Sequence, residues 1–460
     1  MMDVETIVQD LNSPDPELRR RAAEVYFTEP LTENELAKVI ELLSDSDKGV
    51  RDAAGMALSF NENPAIPSQI VKLISSHDIA LRNLVCDILL RIGVSAIPSL
   101  IAYLPDSTDD DAKFIIDIMG LIGDPAPANV IIGTMKSSKN ENVLLACAEA
   151  LGNIKYADAI QDLIEVYKMS ELYGPTVIEA FGKIGSPEAA AFIMENYAAA
   201  TDLTKFSMLE SIGDLGDESS FYFLLTELRE SEIPYTWAII LSLKKLCDKY
   251  DIDIPYDELT KSKILSTLCE GEKNYKLAAS SLIISFRDED VLKTCLEIFG
   301  NDSEIDTNIL PYLCKDGPNT LRLLMDNLSD RSRNLRALLE LLKTFLEEWN
   351  GSTLSSLQET EIVSLCDSLS YHLSNPDEEV RKLAMELLFM IKPDMAIAFF
   401  EQMVSDNILW NRLRLIELLE VFTPDKLREF AGIFQNDSEE MIRDRIKWIL
   451  ASGSSDEEGS

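Results

Sequence analysis

Four glycines recur at a nearly constant interval: Gly120, Gly152, Gly182 and Gly213, separated by 32, 30 and 31 residues. Their settings match as well: Met119-Gly120-Leu121-Ile122-Gly123-Asp124-Pro125, Leu151-Gly152-Asn153-Ile154-Lys155, Phe181-Gly182-Lys183-Ile184-Gly185-Ser186-Pro187 and Ile212-Gly213-Asp214-Leu215-Gly216-Asp217. Self-similarity at a period of roughly 20–50 residues means units that cannot bury an apolar face alone and do so by stacking on their neighbours. The second glycines (Gly123, Gly185, Gly216, with Lys155 in the fourth place) are predicted to end a helix in the left-handed backbone region, with Asp or Ser-Pro opening the next helix. A glycine inside the last turn costs about 1 kcal/mol against alanine. The earlier glycines are therefore expected where a neighbouring helix comes close.

A second recurring signal opens the other helix of each pair. It reads Asp15-Pro16-Glu17-Leu18-Arg19, Asp47-Lys48-Gly49-Val50-Arg51, Asp78-Ile79-Ala80-Leu81-Arg82 and Asn375-Pro376-Asp377-Glu378-Glu379-Val380-Arg381. Asp or Asn caps the free amides, Pro suits the first turn, and acids there complement the helix dipole. Weaker openings recur near Asp110, Asn142, Asp202, Glu232, Asp330, Asp406 and Asp437. Apolar residues follow at i, i+3, i+4 and i+7, as in Val380, Leu383, Ala384, Leu387 and Leu388. The predicted fold is all-α, an α-α superhelix of about fourteen helix pairs.

The repeats resemble HEAT repeats, in particular the bacterial and archaeal subtype named after phycobilin lyases. The matching residues are Asp47, Val50, Arg51, Ala53, Ala54, Ala57 and Leu58 in one repeat and Ala148, Glu149, Ala150, Leu151 and Gly152 in another. The resemblance is strong over residues 10–220 and returns over 375–450. Between 220 and 370 the paired glycines vanish and larger residues such as Trp237 and Trp349 appear. The expected organisation is an N-terminal array over 1–250, a degenerate array continuing it over 251–450, and a disordered acidic tail over 451–460. Longer loops are expected over Lys249–Thr260 and at Asn350-Gly351-Ser352-Thr353.

Charge narrows the function classes. Lys and Arg number 42 and Asp and Glu 80, a net charge of −38. Nucleic acid and anionic membrane surfaces both need cations to bind them, so neither is an expected partner. A basic protein surface is the natural complement, although solubility alone also explains such a charge. The seven cysteines are scattered among apolar neighbours with no Cys-x-x-Cys pair, as for buried thiols in a reducing compartment. Residues 1–10 show no secretory signal and no run of about 18 apolar residues is evident, so a cytoplasmic location is expected.

Catalytic constellations are thin. The two histidines, His77 and His372, lie almost three hundred residues apart, and no phosphate loop, nucleophile elbow or dinucleotide fingerprint occurs. No catalytic residue, metal site or cofactor is assigned. Phe221, Tyr222 and Phe223, like Trp410 and Trp448, read as core. The arginines Arg19, Arg51, Arg82 and Arg381 read as bridges to an acid of the adjacent repeat.

One repeat position does suggest a surface. Three residues before the first glycine stand Asp117, Glu149, Glu179 and Glu210, with Asp87 one repeat earlier and Glu386 and Glu417 in similar C-terminal places. On second helices lining a concave face, such residues form an acidic ladder with steps of about 10 Å. Glutamate is also simply favourable at an exposed helical position. The functional expectation is a non-catalytic protein-interaction scaffold or adaptor with a basic partner, in bacterial signalling if the resemblance holds. The alternatives are a transport-type receptor of the same chemistry, a phycobilin-lyase-like enzyme, and a HEAT-like DNA glycosylase, which would need a basic groove.

Overall fold

The computed structural model describes residues 4–315, 317–328, 334–348 and 357–453. Every regular element among them is helical. The chain divides into two units, Met1–Ile252 and Asp253–Ser460.

In the first unit a short helix leads into each longer second helix. The second helices are Pro16–Val25, Lys48–Phe60, Ile79–Ile92, Asp109–Ile122, Glu141–Ile154, Gly174–Ile184, Asp202–Leu215 and Tyr235–Tyr250, and each packs on the next. Their starts follow the capping chemistry of the sequence. The Asp47 carboxylate accepts from the Val50 amide at 3.1 Å and that of Asp78 from Ala80 at 2.9 Å. Where Asp110, Asn142 and Asp202 mark the openings, the capping side chains are Thr108, Asn140 and Thr201, one or two residues upstream.

The first glycine of each set lies where two second helices touch. A Cβ placed on Gly120 would stand 2.6 Å from Ala150 Cα, one on Gly152 2.8 Å from Ala180 Cα, and one on Gly213 2.8 Å from Ser242 Cα. The contact recurs because Ala150, Ala180 and Ser211, the small residues facing Gly120, Gly152 and Gly182, each sit two positions before the next glycine; Ser242, facing Gly213, precedes Lys244 instead. Ser211 and Ser242 add hydrogen bonds across the same seam, to the carbonyls of Ile178 (3.1 Å) and Leu209 (2.6 Å). The second glycines divide. Gly123 and Gly185 both have φ +75° and end their helices as expected, and Lys155 takes the same left-handed conformation at φ 58°. Gly216 departs from the pattern, with φ −63°; an added Cβ there would meet Ile212 O at 2.4 Å, so crowding and not handedness excludes a side chain.

The stretch Ile79–Asp106 is apolar and long enough, by composition, to cross a membrane, which the sequence reading missed. Gly93, at φ +68°, divides it into Ile79–Ile92 and Ile97–Tyr103. Its residues Val85, Leu89, Ala96, Ile97 and Leu100 are buried in the helical core.

In the second unit the pairs are Glu258–Glu270 with Lys273–Leu282, Glu289–Ile298 with Ser303–Lys315, Gly317–Asn327 with Leu335–Glu348, and Glu359–His372 with Glu378–Ile391. Pro393–Ile397 and Phe400–Val404 precede Leu409–Phe422, and Pro424–Phe434 precedes Glu440–Gly453. Phe286, Phe345, Phe389 and Phe434 are buried in this core, as Phe181 and Phe221 are in that of the first unit.

The arginines at the openings do tie turns together. Arg19 grips Asp45 through Nε (2.7 Å) and a second guanidinium nitrogen (2.8 Å), Arg82 reaches Asp110 (2.6 Å) and Asp111 (2.8 Å), and Arg381 forks onto Asp406 (2.8 and 3.0 Å). Arg412 repeats the fork onto Asp437. Arg51 instead donates to backbone carbonyls of its own turn, Asp45 O at 2.7 Å and Ser46 O at 3.2 Å.

Three sequence expectations change. Trp410 and Trp448 are 63% and 58% exposed, and Tyr222 is exposed, so only Phe221 of that aromatic cluster is core. The loop expected over 249–260 shrinks to residues 251–257, because the preceding helix runs to Tyr250 and ends on a left-handed Asp251. The last helix continues to Gly453, into the expected tail. Asp330, Trp349, Asn350–Thr353 and residues 454–460 lie outside the described residues.

Candidate functional site

The position three residues before the first glycine lies on the second helices, and the structure places its members unequally. Asp87, Glu149 and Glu179 are exposed, Asp117 and Glu210 half-buried. Asp117 pairs with Lys113 at 2.7 Å and Glu179 with Lys183 at 2.9 Å, both one helical turn apart. Asp87 and Glu149 make no ion pair among the described residues.

The members of the row are electrostatic neighbours. Burial pushes the Glu210 carboxyl above its ordinary range, Lys245 opposes this, and the charges of Asp214 and Glu179 add to it. Lys245 also pairs with Asp214 at 2.6 Å. These groups border an open groove of about 800 Å³, lined by Lys155, Glu179, Lys183, Ser207, Glu210, Asp214 and Lys245, with Gly182 and Gly185 in its floor. The groove is therefore mixed in charge, with three carboxylates among three lysines. Two of the pairing lysines were legible in the sequence, since Lys113 precedes Asp117 by four residues and Lys183 follows Glu179 by four, the spacing at which helical side chains meet; Lys245, which reaches Asp214 from the next second helix, was not.

In the second unit Glu386 leaves the ladder. It is 4% exposed and held between Lys343 (2.7 Å) and Arg414 (2.6 Å). Burial alone would push its carboxyl up, but the two cations hold it below the usual range. Such a group joins helices and cannot meet a partner. Glu417 is exposed and shares Arg414 at 2.8 Å.

The remaining candidates offer little chemistry. His77 is exposed in its turn; His372 is buried, its Nε2 3.4 Å from the Leu328 carbonyl. Burial pushes the Cys147 and Cys295 thiols up to about 12, and that of Cys86 up to about 11 with help from the Asp87 and Asp117 charges. Thiols so raised are poor nucleophiles. Of the cysteines expected to be buried, Cys147, Cys295 and Cys366 are, Cys86, Cys247 and Cys314 are half-buried, and Cys269 is exposed. Among the described residues no group of three potential metal ligands converges.

Residues 97–173 match the family model for HEAT repeats. No curated protein matches the sequence. Among solved structures, importin beta aligns at 13% identity over 96% of this chain and 73% of that one, with a TM-score of 0.47. A model of the full-length AP-3 complex aligns at 12% identity over 96% and 100%, with a TM-score of 0.43. A structure concerning the interaction between cadherin and beta-catenin aligns at 11% identity over 93% and 99%, with a TM-score of 0.38. The all-α assignment rests on the helices themselves.

Proposed function

We propose that this HEAT-repeat chain is a non-catalytic protein-interaction scaffold or adaptor, and that a partner with a basic surface docks along Asp87, Asp117, Glu149, Glu179 and Glu210 of the first unit; Glu417 is a separate acidic contact point within the second unit. The observation that carries it is the placement of Asp87, Asp117, Glu149, Glu179 and Glu210 on consecutive, directly packed helices, with Glu179 and Glu210 bordering an open groove in which Glu179 and Asp214 act on Glu210. Paired lysines reduce the field of the row without cancelling it, since Asp87 and Glu149 stand exposed. A location in the cytoplasm and a place in signalling belong to the same proposal. A basic partner would add charge complementarity, which speeds encounter and excludes wrong partners.

The test compares the wild-type chain with the triple variant E149K/E179K/E210K as bait in native lysate. Circular dichroism first establishes that the variant is folded. The proposal expects a Lys- and Arg-rich protein that the wild type retains at low salt and the variant loses. An identical retained set for both baits would overturn it.

A further inference from the structure

The row of second helices carries a feature at its other end that the carboxylates do not explain. Large aliphatic side chains stand exposed at the helix openings of three successive repeats: Leu172 (79% exposed), Leu203 (70%) and Ile233 (54%). Each follows an exposed acid, giving Glu171-Leu172, Asp202-Leu203 and Glu232-Ile233 at intervals of 31 and 30 residues. Met169, three residues before Leu172, is also exposed.

The three steps adjoin. A Cβ on Gly174, two residues after Leu172, would lie 2.6 Å from Thr204 Oγ1, directly after Leu203. The Tyr235 hydroxyl, two residues after Ile233, donates to the Asp202 carbonyl at 3.4 Å. Single exposed aliphatics are ordinary on a protein surface, whereas a contiguous apolar strip rimmed by charge marks a contact surface. The pattern is also local. The matching places in the two preceding repeats, Asp110 and Asn142, are polar.

We infer that this edge docks an amphipathic, basic helix of a partner protein, carrying an aliphatic residue at every seventh position. The inference rests on the proposed reading of this helix row as a docking face, and adds a second contact and the form of the ligand. Packed helices stand about 10 Å apart, so the apolar steps recur at about that distance. Seven residues of α-helix rise about 10.5 Å and return to nearly the same face. In a β-strand, residues three apart cover about 10 Å but point to opposite faces. A polyproline II segment repeats in about 9.3 Å on one face, but such ligands seat in aromatic-lined grooves, and the steps here are aliphatic. Glu171, Asp202 and Glu232 supply a carboxylate beside each apolar step, so the flanks of the ligand must carry Lys or Arg. Leu203 and Glu210 lie seven residues apart on one helix, which puts the strip and the acid row on one face. A helix lying along the row can therefore touch both.

The test uses fluorescent peptides of about three heptads. The helix probe carries Leu at every seventh position with Lys on the flanks. One control scrambles the same composition, and another places Leu at every third position of a proline-rich chain. Binding is read by anisotropy at about 0.15 M and about 1 M salt, with peptide helicity followed by circular dichroism. The expected result is that the helix probe binds about tenfold or more tightly than either control and gains helicity. The variant L172S/L203S/I233S should lose that margin at both salt concentrations, whereas E149K/E179K/E210K should weaken binding mainly at low salt. Equal binding of helix and scrambled probes, preference for the proline-rich probe, or an unaffected L172S/L203S/I233S variant would overturn the inference. If E149K/E179K/E210K alone weakens binding, the edge is refuted and the acid-row proposal stands. If only L172S/L203S/I233S weakens it, the edge stands and the acid row is refuted.

Discussion

Replacing Gly120 by alanine should destabilise the first unit, although the same change in an open helical position should stabilise it. Alanine gains about 1 kcal/mol over glycine within a helix. At Gly133, inside Ala128–Ser137, an added Cβ meets nothing within 4 Å, so G133A should keep most of that gain. At Gly120 the new carbon would lie 2.6 Å from Ala150 Cα and 2.7 Å from its Cβ, whereas ordinary contact begins at 3.4 Å. The helices must then part by 3.4 − 2.6 = 0.8 Å. The obstacle is backbone, which has no rotamer to change, and Glu141–Ile154 is itself pinned by the Gly152 contact with Ala180. Overpacking of this kind costs about 1–3 kcal/mol, and the upper part of the range applies where backbone must move. The net expectation is a loss of about 1–2 kcal/mol for G120A, set against a gain of up to about 1 kcal/mol for G133A. Urea unfolding gives the sign. Amide exchange in Asp109–Ile122 and Glu141–Ile154 gives the location, since a local opening need not involve the whole array. If both variants shift stability in the same direction, the glycines do not mark close approach, and the account of the repeat is wrong.

Four further outcomes follow from particular side chains. G185A, at φ +75° with open space around it, should lose about 1 kcal/mol from backbone conformation alone, and K155G, at φ 58°, should gain a similar amount; thermal melts of both check this. D406A removes the acceptor of the Arg381 fork and leaves a poorly solvated guanidinium, for an expected loss of about 3 kcal/mol in urea unfolding. Burial opposes ionisation of Asp406, but Arg381 and Asn411 hold its carboxyl below the usual range. Its contribution should therefore be present above about pH 4 and fade as the pH falls through the folded value, and the D406A deficit should shrink with it. Glu210 has the opposite sign. Its raised carboxyl disfavours the folded state as pH rises from about 4 through the folded value, so E210Q should relieve a pH-dependent loss, which parallel melts at pH 4 and pH 7 would show.

The fold was legible because its signals are backbone signals. A left-handed glycine, an Asp-Pro opening and a small residue at a helix crossing are each required by local geometry, and their recurrence at a fixed interval turns weak cues into a strong one. The exceptions have the same origin. Gly216 shares the sequence context of Gly123 and Gly185 but takes an extended conformation crowded by Ile212 O and Ser220, each four residues away, a local alternative ending that the repeat pattern does not distinguish. Trp410 and Trp448 obey an apolar helical spacing yet are exposed, because periodicity gives one face of a helix and says nothing of whether a neighbour covers it.

The candidate site was legible only in part, for a reason that Glu386 and Glu149 make plain. Both occupy the same place in the sequence pattern. Glu149 stands exposed with no ion pair among the described residues, whereas Glu386 is buried between Lys343, on another helix pair, and Arg414, on the next second helix. Charge is a property of pairs, and the partners of Glu386 lie 43 and 28 residues away, beyond any spacing rule. The two positions should therefore answer opposite questions when reversed to lysine. E386K would set three cations together in a buried place and should cost about 3–5 kcal/mol, the penalty for breaking a buried pair. E149K should leave stability within about 0.5 kcal/mol, as surface changes do, and act on docking alone. Equal stability losses would mean that Glu149 also holds the helices together, and the acidic row would then be a structural seam with no docking role of its own.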